Sequence, residues 1–140
     1  MSGKAFYDTN IMIYLYADSE PEKQEICKRM IDMADECVVS TQILNEINNV
    51  MFKKWGLLVE TVTKVQSDIR KICKITYINE AIIDSAIDLY KRYGFSYYDC
   101  LMLASALDNG CNVIYTEDMN DGQTINGTLT IINPFKRRKP

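Results

Sequence analysis

Asp8, Glu46, Asp99 and Asp118 are the side chains whose type and placement could do chemistry. Asp8 directly follows the apolar Ala5-Phe6-Tyr7 and precedes Thr9-Asn10 and the apolar run from Ile11 to Ala17, so it stands at a strand-to-helix junction. Glu46 lies in the stretch Thr41 to Phe52, where Ile43, Leu44, Ile47, Val50 and Met51 form an apolar stripe. At about 100° per residue, Glu46 falls at the margin of that stripe. Asp99 follows Ser96-Tyr97-Tyr98 and opens the run Cys100 to Leu107, apolar nearly all round as a buried helix is. Glu117 and Asp118 follow Val113-Ile114-Tyr115 and Thr116, with Asp121 and Gly122 just beyond, so a strand end enters an acidic loop.

Each acid also has an ordinary structural use. Asp8 suits a helix N-cap, where a carboxylate accepts backbone N–H bonds and meets the positive end of the dipole. Glu46 can be a solvated residue of a helix capped by Ser40 or Thr41. Ser96 and Asp99 match the S-x-x-[DE] capping box. A turn explains one acid among Glu117, Asp118 and Asp121, hardly three in five residues. Taken together, the acids fall where one mouth of a parallel sheet would collect them. Carboxylates sharing a mouth repel and raise one another's pKa values unless a cation compensates them. The natural cation is Mg²⁺ or Mn²⁺, a hard ion that prefers oxygen ligands, keeps several waters and binds alongside substrate phosphate oxygens. Such an ion lowers the pKa of a bound water for attack at phosphorus and stabilises the leaving oxygen.

The rest of the composition narrows the alternatives. The 140 residues contain no histidine, which excludes a Ser-His-Asp triad, a Cys-His pair, a histidine base and a His-ligated zinc. The six glycines never stand two apart, so the dinucleotide cradle cannot be written, and no G-x-x-x-x-G-K-[ST] occurs for a P-loop. Five cysteines without a C-x-x-C fit neither a disulfide framework nor a four-thiolate zinc site, and read as reduced thiols, some of them small core residues. The longest apolar run, Ile11 to Ala17, is far shorter than a membrane span, so no membrane association and a cytoplasmic location are expected. Net charge is −3, but Lys136, Arg137, Arg138 and Lys139 bunch at the end and leave a body near −7, a poor non-specific duplex binder.

The elements that must position these acids follow from the spacing of apolar residues. Strand-length runs occur at Lys4–Tyr7, Cys37–Val39, Asn112–Tyr115 and Thr128–Ile132, with a further short one near Lys74–Thr76. Helical spacing covers Asn10–Ala17, Pro21–Ala34, Thr41–Lys53, Leu57–Ile72, Glu80–Tyr93 and Tyr97–Asn109. Strands alternating with helical crossovers predict an α/β fold, a three-layer α/β/α arrangement with a mainly parallel central sheet. One domain over residues 1–135 and a basic tail over 136–140 are expected. Ligands of such sheets gather beyond the carboxyl ends of the strands, where the strand order reverses.

Four segments carry a resemblance: Phe6-Tyr7-Asp8-Thr9-Asn10-Ile11, the helix with Leu44-Asn45-Glu46, Tyr98-Asp99-Cys100-Leu101-Met102-Leu103-Ala104-Ser105-Ala106-Leu107, and Tyr115-Thr116-Glu117-Asp118-Met119. In this order they resemble the four motifs of PIN domains. The ending Ile131-Ile132-Asn133-Pro134-Phe135 is similar to the close of many VapC-type toxin nucleases. The resemblance implies a metal-dependent endoribonuclease in which Asp8, Glu46, Asp99 and Asp118 hold Mg²⁺ or Mn²⁺ and a water attacks an RNA phosphodiester, leaving a 5′-phosphate and a 3′-hydroxyl. It also implies a homodimeric toxin silenced by a cognate antitoxin protein. Thr9, Asn10 and Thr116 match positions that support the acids, while Glu117 and Asp121 match positions where relatives vary, which leaves the fourth ligand open.

A catalytically inactive adaptor of the same fold, binding RNA or protein, is the alternative reading. The intact acidic set favours the enzyme. A haloacid-type phosphatase fits worse, since it wants D-x-D where Asp8-Thr9-Asn10 stands, and a receiver domain wants a late lysine where Thr116-Glu117-Asp118 stands. Lys53, Lys54 and Trp55 could bind phosphate and stack on a base. Their ordinary use is to close a helix and cover core, and Tyr97 and Tyr98 likewise suit core or interface.

Overall fold

A computed structural model describes residues 3–136. The distal part of the basic tail, Arg137 to Lys139, lies outside the described residues. The chain runs β1 (Lys4–Tyr7), α1 (Thr9–Tyr14), α2 (Pro21–Met33), β2 (Glu36–Ser40), α3 (Thr41–Asn49), α4 (Val59–Ile72), β3 (Lys74–Thr76), α5 (Glu80–Tyr93), α6 (Tyr97–Asp108), β4 (Val113–Tyr115), β5 (Thr124–Ile125) and β6 (Leu129–Ile132). A π-helical turn, Val50–Lys54, follows α3, and a 3₁₀ turn, Pro134–Lys136, follows β6.

The strands form one sheet of order β3-β2-β1-β4-β6-β5. Every neighbouring pair is parallel except β5 with β6. Ala5, Phe6 and Tyr7 are all buried, as are Val38 and Val39, so side chains pointing to opposite faces of the sheet are alike covered. This is the three-layer α/β arrangement that the alternation of strands and helices predicts. From β1 the chain builds outward through β2 and β3, then returns to place β4 on the other side of β1. The order therefore reverses between β1 and β4, and a crevice opens beyond their carboxyl ends.

Local chemistry sets the helix starts. Ser40, Asn79 and Ser96 each accept the backbone N–H of the third residue of α3, α5 and α6, and Pro21 opens α2. Helix α5 stops at Gly94, whose φ of 76° is left-handed and open to glycine without strain. Helix α6 is the apolar heart of the protein, with Cys100 to Ala106 all buried. All five cysteines are free and buried.

Two helix ends differ by three or more residues from those expected, and one strand is additional. Helix α1 ends at Tyr14 rather than Ala17, because Tyr16 and Ala17 bond back to Ile13 and Tyr14 and tighten the chain into a turn. The expected helix to Lys53 changes at Val50 into the π-helical turn, closed by the Trp55 amide on the Val50 carbonyl at 3.1 Å. Lys53 and Lys54 are exposed on that turn, and Trp55 packs partly against the core. Strand β5 was not expected. It pairs with β6 through a tight hairpin whose central residues, Asn126 and Gly127, have φ of 51° and 74°.

Candidate active site

The crevice beyond β1 and β4 is a cleft of about 460 Å³ lined by Asp8, Thr9, Asn10, Asn45, Glu46, Asn49, Val50, Asp99 and Asp118. It gathers four acids from four separate elements. Asp8 arrives on the end of β1, Glu46 on α3, Asp99 in the first turn of α6 and Asp118 in the loop after β4.

Asp8 is the most confined of the four. Its Oδ1 accepts the Thr9 amide at 2.6 Å and its Oδ2 accepts the Thr116 hydroxyl at 2.6 Å. It is thus at once the N-cap residue of α1 and a member of the cleft. Burial pushes its pKa up to about 6, the Thr116 and Thr9 hydrogen bonds oppose that rise, and Asp118 and Glu46 add to it. Burial likewise raises Asp99, the Ser96 hydroxyl restrains it, and Asp118 and Glu46 again push upward. The four carboxylates therefore sit in one another's fields.

Supporting side chains fix their directions. Buried Thr9 donates from Oγ1 to Glu46 Oε1 at 2.5 Å. Gln42 Nε2 donates to Glu46 Oε2 at 3.1 Å and to the Tyr98 carbonyl at 3.2 Å, joining α3 to the start of α6. Buried Thr116 donates to Asp8 and accepts the Asp118 amide at 3.2 Å. Asn10 is exposed on the rim.

Glu117 and Asp121 point elsewhere. Glu117 accepts from Tyr14 and pairs with Lys23, and Asp121 Oδ1 accepts the Asn133 amide at 2.8 Å. Neither lines the cleft. Tyr98 is 65% exposed beside Asp99, whereas Tyr97 packs partly against the core.

The donor set suits a hard cation. The side chains lining the cleft offer oxygen from four carboxylates, one threonine and three asparagines, with no thiol and no base. Beside them, Gln42 Oε1 is a buried oxygen without a hydrogen-bond partner. Reversing that amide would set its oxygen against Glu46 Oε2 and the Tyr98 carbonyl, so the oxygen stays unpaired. Among the described residues, no three acidic or thiol side chains are drawn tightly round one point.

The PIN domain family model matches residues 5–120, a span that contains all four cleft acids. The chain belongs to the PIN domain family. Solved PIN-type structures share its fold. A toxin–antitoxin complex from Klebsiella pneumoniae aligns with a TM-score of 0.72 at 20% identity, over 95% of this chain and 99% of that one. VapC20 of Mycobacterium tuberculosis, a toxin that cleaves the sarcin–ricin loop, aligns at 0.64 and 16% identity, over 81% of this chain and 91% of that one. VapBC-1 from nontypeable Haemophilus influenzae aligns at 0.57 and 20% identity, over 82% and 87% of the two chains. Comparison with curated proteins by sequence finds no match.

Within this PIN domain, sequence reasoning passed over Gln42, Asn45 and Asn49. With Glu46 they occupy positions i, i+3, i+4 and i+7 of α3, a polar face opposite the apolar stripe, and that spacing was the available signal. Among the described residues, no helix is long and apolar enough to cross a membrane.

Proposed function

We propose that this PIN domain is a divalent-metal-dependent endoribonuclease and the toxin of a toxin–antitoxin pair. The observation that carries the reading is the meeting of Asp8, Glu46, Asp99 and Asp118 in one cleft that has no basic side chain in its lining. Burial and the neighbouring carboxylates raise Asp8 and Asp99, and a cation in the cleft would offset that repulsion.

Asp8, Glu46, Asp99 and Asp118 are the residues that would hold Mg²⁺ or Mn²⁺. The ion, when bound, supplies a water of lowered pKa for attack at phosphorus and stabilises charge on the leaving oxygen. The protein's part is preorganisation. Thr116 and the Thr9 amide hold both oxygens of Asp8, and Thr9 and Gln42 hold both oxygens of Glu46, so neither carboxylate must reorient when substrate arrives. The amides of Asn10, Asn45 and Asn49 offer neutral hydrogen-bond donors to a phosphodiester in a cleft whose own charge would repel it. A cognate antitoxin partner accords with the toxin–antitoxin complexes among its structural neighbours, and a homodimer belongs to the same proposal.

The experiment is cleavage of a structured RNA pool by purified protein in Mg²⁺, Mn²⁺ or EDTA, with Asp8→Asn and Asp99→Asn in parallel. Metal-dependent cutting by the wild type, lost in both variants and yielding 5′-phosphate ends, is the expected result. Wild-type protein free of inhibitor that matches the variants on every RNA overturns it in favour of an inactive adaptor.

A further inference from the structure

Glu117 adjoins Asp118, yet its carboxylate is turned out of the cleft and held there by residues far away in sequence. Tyr14 Oη donates to Oε1, and Lys23 Nζ donates to Oε2 at 3.2 Å. Lys23 Nζ also donates to Tyr14 Oη at 3.2 Å. The same ammonium lies 4.8 Å from the centre of the Tyr14 ring and 5.0 Å from that of Phe135, and the two rings meet edge-on at 5.3 Å. The Glu117 carbonyl accepts Asn133 Nδ2 at 3.5 Å. Glu117 and Lys23 keep only 19% and 33% side-chain exposure, so their attraction is less screened than that of a free surface pair.

This clamp bears on the cleft through the backbone. Thr116 faces inward onto Asp8, Asp118 lines the cleft, and Glu117 between them faces outward. Drawing Glu117 outward fixes the peptide units on either side of it, and one of these carries the Asp118 amide that bonds to Thr116 Oγ1.

We infer that Tyr14 and Lys23 are positioning residues for Asp118. By clamping Glu117 between α1 and α2, they set the direction in which the next residue presents its carboxylate to the divalent ion. The inference rests on the metal reading proposed above. It also gives the acidic loop a division of labour, in which one acid is an anchor and its neighbour a ligand.

The sign of the effect separates positioning from simple charge. Lys23 is a cation near a cation site, so its removal acting through the field alone would tighten metal binding. Loss of positioning weakens it.

The test is Mn²⁺ titration followed by electron paramagnetic resonance, on wild type, Tyr14→Phe, Lys23→Met, Glu117→Gln, the Tyr14→Phe/Glu117→Gln double variant and Asp8→Asn, with metal-free thermal unfolding of each. Tyr14→Phe keeps the ring and deletes only the hydroxyl, so it serves even where Lys23→Met fails to fold. Tyr14→Phe and Lys23→Met are expected to weaken Mn²⁺ binding about 10- to 100-fold, as loss of partners behind a metal ligand does. The Tyr14→Phe/Glu117→Gln double variant should be no weaker than Glu117→Gln alone, because both changes break one clamp. Folded variants that bind Mn²⁺ as the wild type does, or more tightly, overturn the inference while leaving the metal reading intact. Wild type that takes up no Mn²⁺ sensitive to Asp8→Asn overturns both.

Discussion

The Thr116 hydroxyl donates to Asp8 Oδ2 at 2.6 Å and accepts the Asp118 amide at 3.2 Å. One buried side chain thereby joins the end of β1 to the loop after β4, across the point where the strand order reverses. A hydrogen bond to the ionised carboxylate also keeps the Asp8 pKa from rising as far as burial would otherwise take it. Thr116→Val preserves the shape and removes the hydroxyl. The acid limb of the pH–rate profile for metal-dependent RNA cleavage should then move to higher pH, and stability should fall by about 1–3 kcal/mol. An unmoved acid limb in a folded variant would show that the bond does not set the Asp8 charge.

Asp8 makes the metal-free protein sensitive to pH. Its folded pKa of about 6 lies above the ordinary 3.8, so the folded state retains a proton that the unfolded chain gives up. The associated stability is present in full below pH 3.8 and is lost as pH rises through about 6. Relative to Asp8→Asn, the wild type should lose up to about 3 kcal/mol across that window. Urea unfolding of both proteins at pH 4, 5, 6 and 7 in EDTA measures it, and a constant difference refutes it. Saturating Mg²⁺ should restore the wild type at the upper end, since the ion requires the ionised carboxylate.

Asp8→Asn and Asp99→Asn should each abolish cleavage while the fold stays intact. At neutral pH without metal, both should be as stable as wild type or more so, because each removes one of several like charges. Calorimetry in EDTA beside the cleavage assay tests the pair. A loss of several kcal/mol would identify the acid as chiefly a structural cap.

Helix α3 is braced from behind by Gln66. From α4, its buried amide donates to the Leu44 carbonyl at 3.2 Å and to Asn48 Oδ1 at 2.7 Å, two residues to either side of Glu46. Gln66→Met keeps the length and removes both donors. Chemical denaturation should show a loss of about 1–3 kcal/mol, the cost of leaving buried acceptors unpaired. An unchanged midpoint would mean that water reaches these groups.

Three of the four cleft acids were legible in the sequence because each adjoins a strand end or a helix start, and Glu46, inside α3, because it stands at the margin of an apolar stripe. Asp8 after Ala5-Phe6-Tyr7 and Asp118 after Val113-Ile114-Tyr115 need only the strands beside them to be recognised. The outward turn of Glu117 was not legible, since Tyr14 and Lys23 meet its carboxylate, and Phe135 meets Lys23, only in the folded chain. Strand β5 was missed although Asn126-Gly127 is a strong hairpin signal; two residues are too few to show an alternating pattern. The π-helical turn after Asn49 escaped for another reason. It widens a helix without altering the apolar spacing that announces one.

The strand order of this sheet makes the cleft a report on the whole molecule. Its acids enter from β1, α3, α6 and the loop after β4, so the site exists only once segments from both ends of the chain have been brought together. On the nuclease reading proposed above, a fragment that stops short of Asp118 would lack one of the four cleft acids and is expected not to cut RNA. On the same reading, recovery of cutting after denaturation is expected to follow the slowest step of assembly rather than the fastest. A circular permutant opened at the Asn126-Gly127 turn, which lies beyond the last of the four acids, keeps every one of those segments in its original order.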